Sequence, residues 1–244
     1  MSPGVQGALR DYNGKLLSLS VTPDGNRRFS RHVKMNHVVE WHKEWVERLK
    51  DTLIHLRDKR SNVVDEALFW WLSRQNKNRP EDELRGLFKL IKDAQEELLR
   101  IASEKWVHVF MVGDESLLPP DIVDMMADIS DRTEQFHSTF RCALALAYDQ
   151  AWEETRQRQI LIDDGFQGSQ KDLQEEAFEQ AHKWLREPDV MIRAGSEWRH
   201  RTSGGFMWPN TALHFFRAHW PTITTKHIDF ALHSAIMEEI NNGK

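Results

Sequence analysis

The sequence predicts an α/β protein: a single domain with a central, mostly parallel six-stranded sheet covered by helices on both faces. Three observations carry this. Short apolar runs alternate with segments whose apolar residues fall at helical spacing. The runs are apolar almost throughout, as in strands covered on both faces. No linker, repeat or low-complexity tract divides the 244 residues, a length that can bury a sizeable core.

Taken in order, residues 1–15 contain Gly and Asn with little periodicity and read as a loosely held start, leaving 16–244 as the domain. Residues 16–21 form the first strand, which breaks at Pro23. Val38, Trp41, Trp45, Leu49, Leu53 and Leu56 recur at helical spacing, so 37–57 is a helix. The apolar run 63–72 is the second strand. Pro80 opens a helix through residue 104, with Glu81, Asp82 and Glu83 at the positive end of its dipole. A strand at 107–112, a helix at 120–136 and a strand at 139–147 follow. Helices at 149–161 and 170–187, strands at 190–194 and 213–216, and a last helix at 225–240 complete the alternation. Ligands of such sheets bind beyond the C-terminal strand ends, which directs attention to the loops after Val21, Leu72, Ala147 and Ile192.

Composition narrows the partners. With 33 basic and 38 acidic side chains the formal charge is −5, so nothing favours nucleic acid or an anionic membrane surface, and anion binding must be local. Cys142 is the single cysteine, which excludes an internal disulfide framework and fits a reducing compartment. No stretch approaches the roughly 20 apolar residues that span a bilayer, and the start lacks a signal-like pattern. The expectation is a cytoplasmic protein without a transmembrane segment. Ten tryptophans either thicken the core or line an aromatic cavity.

The loop after the first strand, Pro23-Asp24-Gly25-Asn26-Arg27-Arg28-Phe29, concentrates the chemistry. Gly25 lets the backbone approach a ligand, Asn26 can donate to phosphate oxygens, and Arg27 and Arg28 offer planar forks suited to a diphosphate. Asp24 beside them is a hard oxygen donor suited to Mg²⁺ bridging to the same oxygens. The same residues would also serve as an ordinary polar turn. Likewise Ser73-Arg74-Gln75-Asn76-Lys77-Asn78-Arg79-Pro80 could be no more than the polar approach to a helix, and His42 a structural histidine.

Several strings, in order, resemble the motifs of the cis-prenyltransferases, the family of undecaprenyl diphosphate synthase. The first loop resembles Asp-Gly-Asn-Arg-Arg-Trp, with Phe29 for the tryptophan. Trp41-His42-Lys43-Glu44-Trp45 resembles Gly-His-Lys-x-Gly with both glycines replaced. Ser73 to Pro80 resembles Ser-Ser-Glu-Asn-Trp-Asn-Arg-Pro, Tyr148 to Glu153 echoes Tyr-Gly-Gly-Arg-Trp-Asp, and Asp189 to Arg199 resembles Asp-Leu-x-Ile-Arg-Thr-Ser-Gly-Glu-x-Arg. From there the chain runs without a gap to Trp220-Pro221, which matches the family's Trp-Pro.

The resemblance implies a Mg²⁺-dependent homodimer with two diphosphate sites. Asp24 would hold the metal; Gly25, Asn26, Arg27, Arg28, His42 and Arg79 would bind an allylic prenyl diphosphate of C10 to C20. Asn76 and Ser73 would lie at the reacting carbon, and Arg193, Arg199 and Arg201 would meet a second substrate such as isopentenyl or dimethylallyl diphosphate. Phe29, Trp71 and Leu146 would shape the hydrophobic pocket, the last two replacing small tunnel residues. The departures fall on the second site: Arg201 replaces a serine, Ala212 replaces a metal-sharing glutamate in the gapless register, and the C-terminal Arg-x-Gly is missing. That pattern puts first an enzyme that ionises an allylic diphosphate and cyclises, rearranges or irregularly couples it, in the manner of a terpene synthase. A short-chain cis-prenyl diphosphate synthase is the alternative, and a non-catalytic partner subunit the third reading.

Overall fold

A strand inside a parallel sheet must fill both faces, and the alternation Leu-Ser-Leu-Ser-Val-Thr does so with different chemistry on each. In the computed structural model, which describes residues 3–24, 38–182, 186–195 and 211–241, these residues form β1 (Leu17–Thr22), buried along its whole length. Leu17, Leu19 and Val21 enter the main core. Ser18 and Ser20 face the other side, where Ser18 Oγ donates to Glu66 Oε1 at 2.9 Å and Ser20 Oγ accepts from Trp70 Nε1 at 2.8 Å.

Around β1 lie β2 (Val64–Trp70), β3 (His108–Val112), β4 (Arg141–Ala145), β5 (Val190–Arg193) and β6 (Ala212–Phe215), in the order β3-β4-β2-β1-β5-β6. Every pairing is parallel. From β1 the chain lays β2, β3 and β4 on one side, with β4 inserted between β2 and the edge strand β3, then crosses to β5 and β6 on the other side. The winding therefore reverses between β1 and β5, and a crevice opens at the C-terminal ends of those strands.

The main core forms between the sheet and helices whose apolar stripes match the sequence spacing. Helix α2 (Val38–Arg60) buries Trp45, Val46, Leu49, Leu53 and Leu56; α5 (Pro120–Thr133) buries Ile122, Met125, Met126 and Ile129. A smaller cluster of Leu68, Trp70, Ala143, Ala145 and Tyr148 fills the other face, with Phe178 of α7 (Gln170–His182) against it. The expected helix at 80–104 is two helices, α3 (Glu81–Asp93) and α4 (Gln95–Lys105), which meet at Ala94, where ψ of −7° leaves the helical range. α6 (Gln150–Asp163) follows β4, and α8 (Thr225–Asn241) closes the described chain.

Residues 3–10, within the stretch read as loosely held, form helix α1 (Pro3–Arg10), with Leu9 fully buried. A polar network ties this helix down. Asp229 of α8 accepts from Arg60 Nε at 2.6 Å and Nη2 at 2.8 Å, lies 2.8 Å from His55 Nε2, and Gln6 of α1 accepts from Arg60 Nη2 at 2.8 Å. Burial pushes the Asp229 carboxyl up, but the hydrogen bonds and charges of His55 and Arg60 outweigh it and hold it at about 2. No described helix is long and apolar enough to cross a membrane.

Candidate active site

The strand ends at the crevice are level with one another: Val21 pairs with Phe69, Thr22 with Arg193 and Trp70 with Ala145. Asp24, two residues past Thr22, therefore projects beside the last residue of β5. Arg193 Nη2 donates to Asp24 Oδ2 at 3.1 Å, with the arginine side chain 4% exposed and the aspartate 44%. Two residues that the sequence assigns to separate diphosphate sites thus meet directly.

The root of the Asp24 loop is fixed by backbone contacts. Asp24 N–H donates to Thr22 O at 3.0 Å, and Asp24 C=O accepts from the Trp220 amide at 3.1 Å. The Trp45 indole donates to Pro23 O at 3.4 Å, and Trp220 Nε1 donates to Trp45 O at 3.2 Å. These two fully or nearly buried tryptophans hold the loop as well as filling core. Gly25, Asn26, Arg27, Arg28, Phe29, Arg199 and Arg201 lie outside the described residues. So does the side chain of His42, whose backbone belongs to α2.

The loop after β2 adjoins that of β1. Ser73 caps a single 3₁₀ turn (Arg74–Asn78), its Oγ accepting from Gln75 N–H at 3.1 Å. Asn76 N–H donates to Ser73 O and Arg79 N–H to Asn76 O, each at 2.9 Å. Arg79 Nη1 donates to Glu83 Oε1 at 2.7 Å, so its guanidinium is held at the start of α3. The loop is laced to the one after β4: Ser73 bridges Tyr148, Arg74 N–H donates to Tyr148 O at 2.9 Å and Tyr148 N–H to Leu72 O at 3.1 Å.

Sequence reasoning missed how Arg74 is used. Its Nε donates to Asp114 Oδ2 at 2.9 Å, and its guanidinium lies 5.1 Å from the centre of the Trp152 ring. Burial would raise the Asp114 carboxyl, yet hydrogen bonds from Ser116 and Arg74 hold it below its ordinary value. The one signal available was Arg74 inside a string otherwise resembling a known motif.

Of the three expected pocket residues, the two that are described, Trp71 and Leu146, take different places. Trp71, just past β2, is half-buried and packs on Trp45 with ring centres 4.9 Å apart and planes inclined by 31°. Leu146, just past β4, is fully buried in the main core. Behind it Gly113, at φ +136°, sits so close that a Cβ would lie 1.7 Å from Leu146 O.

Position 212, which the gapless register matches to the family's glutamate, lies away from the crevice. Ala212 pairs with Val190 at the beginning of β5–β6, three residues short of the level of Arg193. That is roughly 10 Å along the strand from the crevice. A missing carboxylate at 212 therefore removes no ligand from beside Asp24 of the same chain. Asp229, the remaining acid in that region, is committed to Arg60 and His55.

The family model for undecaprenyl diphosphate synthase matches residues 22–239, from the end of β1 through nearly all of α8. The chain belongs to the undecaprenyl diphosphate synthase family of prenyltransferases. It is thereby placed among enzymes that act on prenyl diphosphates. It is 28% identical over 239 residues to a tritrans,polycis-undecaprenyl-diphosphate synthase (geranylgeranyl-diphosphate specific) of Picrophilus torridus, covering 91% of this chain and 90% of that one. It is 27% identical over 235 residues to an isoprenyl transferase of Porphyromonas gingivalis, covering 93% and 89%. Among solved structures it resembles lavandulyl diphosphate synthase from Lavandula x intermedia, crystallised with dimethylallyl diphosphate. The TM-score is 0.77 and the identity 24%, with 89% and 94% of the two chains covered. That likeness establishes the shared prenyltransferase fold.

Proposed function

We propose that this family member is a short-chain prenyl diphosphate synthase, which joins an allylic prenyl diphosphate to isopentenyl diphosphate. The observation that carries the reading is the juxtaposition of Asp24 and Arg193 at 3.1 Å, which supports two diphosphate sites sharing one crevice. The relatives, named for diphosphate synthesis and isoprenyl transfer, support it as well. The reading put first on sequence, cyclisation, rearrangement or irregular coupling, leaned in part on the loss of a carboxylate at 212, and Ala212 lies at the far end of the strand.

In the proposed reaction the C1–O bond of the allylic substrate breaks and pyrophosphate departs. The double bond of isopentenyl diphosphate attacks C1, and a proton is lost from the resulting cation, so that the product is a diphosphate five carbons longer. Arg79, with Arg27, Arg28 and His42, would hold the departing pyrophosphate, and Asn76 and Ser73 would lie beside C1. Arg193, with Arg199 and Arg201, would hold the second diphosphate.

Mg²⁺ is the cofactor this donor set suits. The half-exposed Asp24 carboxylate is a hard donor, and no group of three or more His, Cys, Asp or Glu among the described residues could hold an ion alone. Asp24 would hold such a cation together with the substrate's phosphate groups, and when bound it would neutralise charge on the leaving group. The Trp45–Trp71 stack would floor a short pocket. The proposal includes a cytoplasmic homodimer: β6 is an open sheet edge, and Leu213 on it and Phe230 and Met237 on α8 are exposed apolar residues.

Pyrophosphate release tests the reading. With a C10, C15 or C20 allylic diphosphate and Mg²⁺, release should require isopentenyl diphosphate. Release from the allylic substrate alone would restore the cyclase reading.

A further inference from the structure

We propose that the Asp24–Arg193 ion pair is a resting lock that makes a divalent cation and a diphosphate bind as a unit, each displacing the pair on behalf of the other. The inference rests on the proposed function, in which Asp24 holds the cation and Arg193 a diphosphate in one crevice. Their contact spans 169 residues of sequence and bridges the β1–β5 crevice, where a sheet of this winding places its ligands. It is made by side chains alone. The Asp24 backbone is held separately by Thr22 O and the Trp220 amide, so the carboxylate can turn away without freeing the loop root.

Each ligand arriving singly meets an obstacle. A diphosphate that reaches the Arg193 guanidinium competes with the carboxylate hydrogen-bonded to Nη2 and lies beside that negative charge. A cation that reaches Asp24 must likewise replace a guanidinium and lie beside its positive charge. It also finds no further acidic or histidine cluster among the described residues to complete its shell. Arriving together, they exchange one carboxylate–guanidinium contact for a phosphate–guanidinium and a carboxylate–cation contact, and the repulsions cancel. Positive linkage between cation and diphosphate follows.

The experiment is isothermal titration of the full chain with inorganic pyrophosphate, in chelator and in Mg²⁺, for wild type, Asp24→Asn and Asp24→Ala. In wild type, Mg²⁺ should tighten pyrophosphate binding by about tenfold or more. Both variants, having lost the competing charge, should bind metal-free pyrophosphate about three- to tenfold more tightly than wild type. Their response to Mg²⁺ should fall below about threefold. Metal-free binding no tighter than wild type in folded variants overturns the lock, as does a wild type indifferent to Mg²⁺. Absence of pyrophosphate binding by wild type in both conditions overturns the diphosphate reading itself, which separates the two failures.

Discussion

Replacing Asp229 by alanine separates a carboxylate that holds the fold from one that could serve the reaction. Asp229 is 2% exposed and accepts two hydrogen bonds from Arg60, itself 6% exposed, with His55 as a third partner. Its removal leaves the Arg60 guanidinium buried with only Gln6 and the Lys59 carbonyl, a loss of about 3 to 5 kcal/mol. For a chain of this size that lowers the melting temperature by about 10 °C. The sign of the pH dependence follows from the depressed carboxyl. Held at about 2 against an ordinary 3.8, it stabilises the fold by about 2 kcal/mol above pH 4. That contribution is lost as pH falls from about 4 to about 2, where the carboxylate is protonated in both states. Thermal melts of wild type and Asp229→Ala at pH 7 and at pH 3 measure both effects, and the gap should narrow at the lower pH. Turnover per folded molecule and its Mg²⁺ dependence should stay within about twofold of wild type. A variant as stable as wild type but with altered Mg²⁺ dependence would refute the reasoning and make Asp229 the missing metal-sharing carboxylate.

Other positions give further tests. Gly113→Ala would press a methyl group on Leu146 O at a backbone angle that L residues rarely adopt, and should cost about 3 kcal/mol or more in a denaturant melt; ordinary stability would contradict the geometry. Trp71→Ala removes the ring stacked on Trp45, so longer products should appear by mass spectrometry; an unchanged product range would exclude that stack as the pocket floor. Trp45→Phe keeps an aromatic ring but deletes the donor to Pro23 O, and kcat/KM per folded molecule should fall about fivefold, with a melting temperature lowered by several degrees by the smaller buried ring. If kcat/KM is unchanged, the indole does not position the Asp24 loop.

Most of the fold was legible because periodicity and core coincide. The spacing of Trp45, Leu49, Leu53 and Leu56 is the buried stripe of α2, and each apolar run became a parallel strand. Helix α1 escaped because its stability comes from a tertiary network through Gln6, Arg60 and Asp229 that no local pattern announces. The break at Ala94 escaped for a related reason, since alanine carries no helix-ending signal. In the site, the strings around Asp24, Ser73 and Arg193 were visible as motifs, and strand order brings their loops to one sheet end. Their pairing was not visible. That Arg193 reaches Asp24 depends on β5 lying beside β1, a long-range fact of topology. The same register moved Ala212 away from the crevice, where counting residues from the Trp220-Pro221 landmark had left its depth along the strand undefined.

The most direct test of the proposed coupling reaction is mass spectrometry of products formed with Mg²⁺ and C10, C15 or C20 allylic diphosphates, each with and without isopentenyl diphosphate. The account predicts diphosphates lengthened by five-carbon units, formed only when isopentenyl diphosphate is present. A hydrocarbon or alcohol formed from a single allylic diphosphate alone would contradict it.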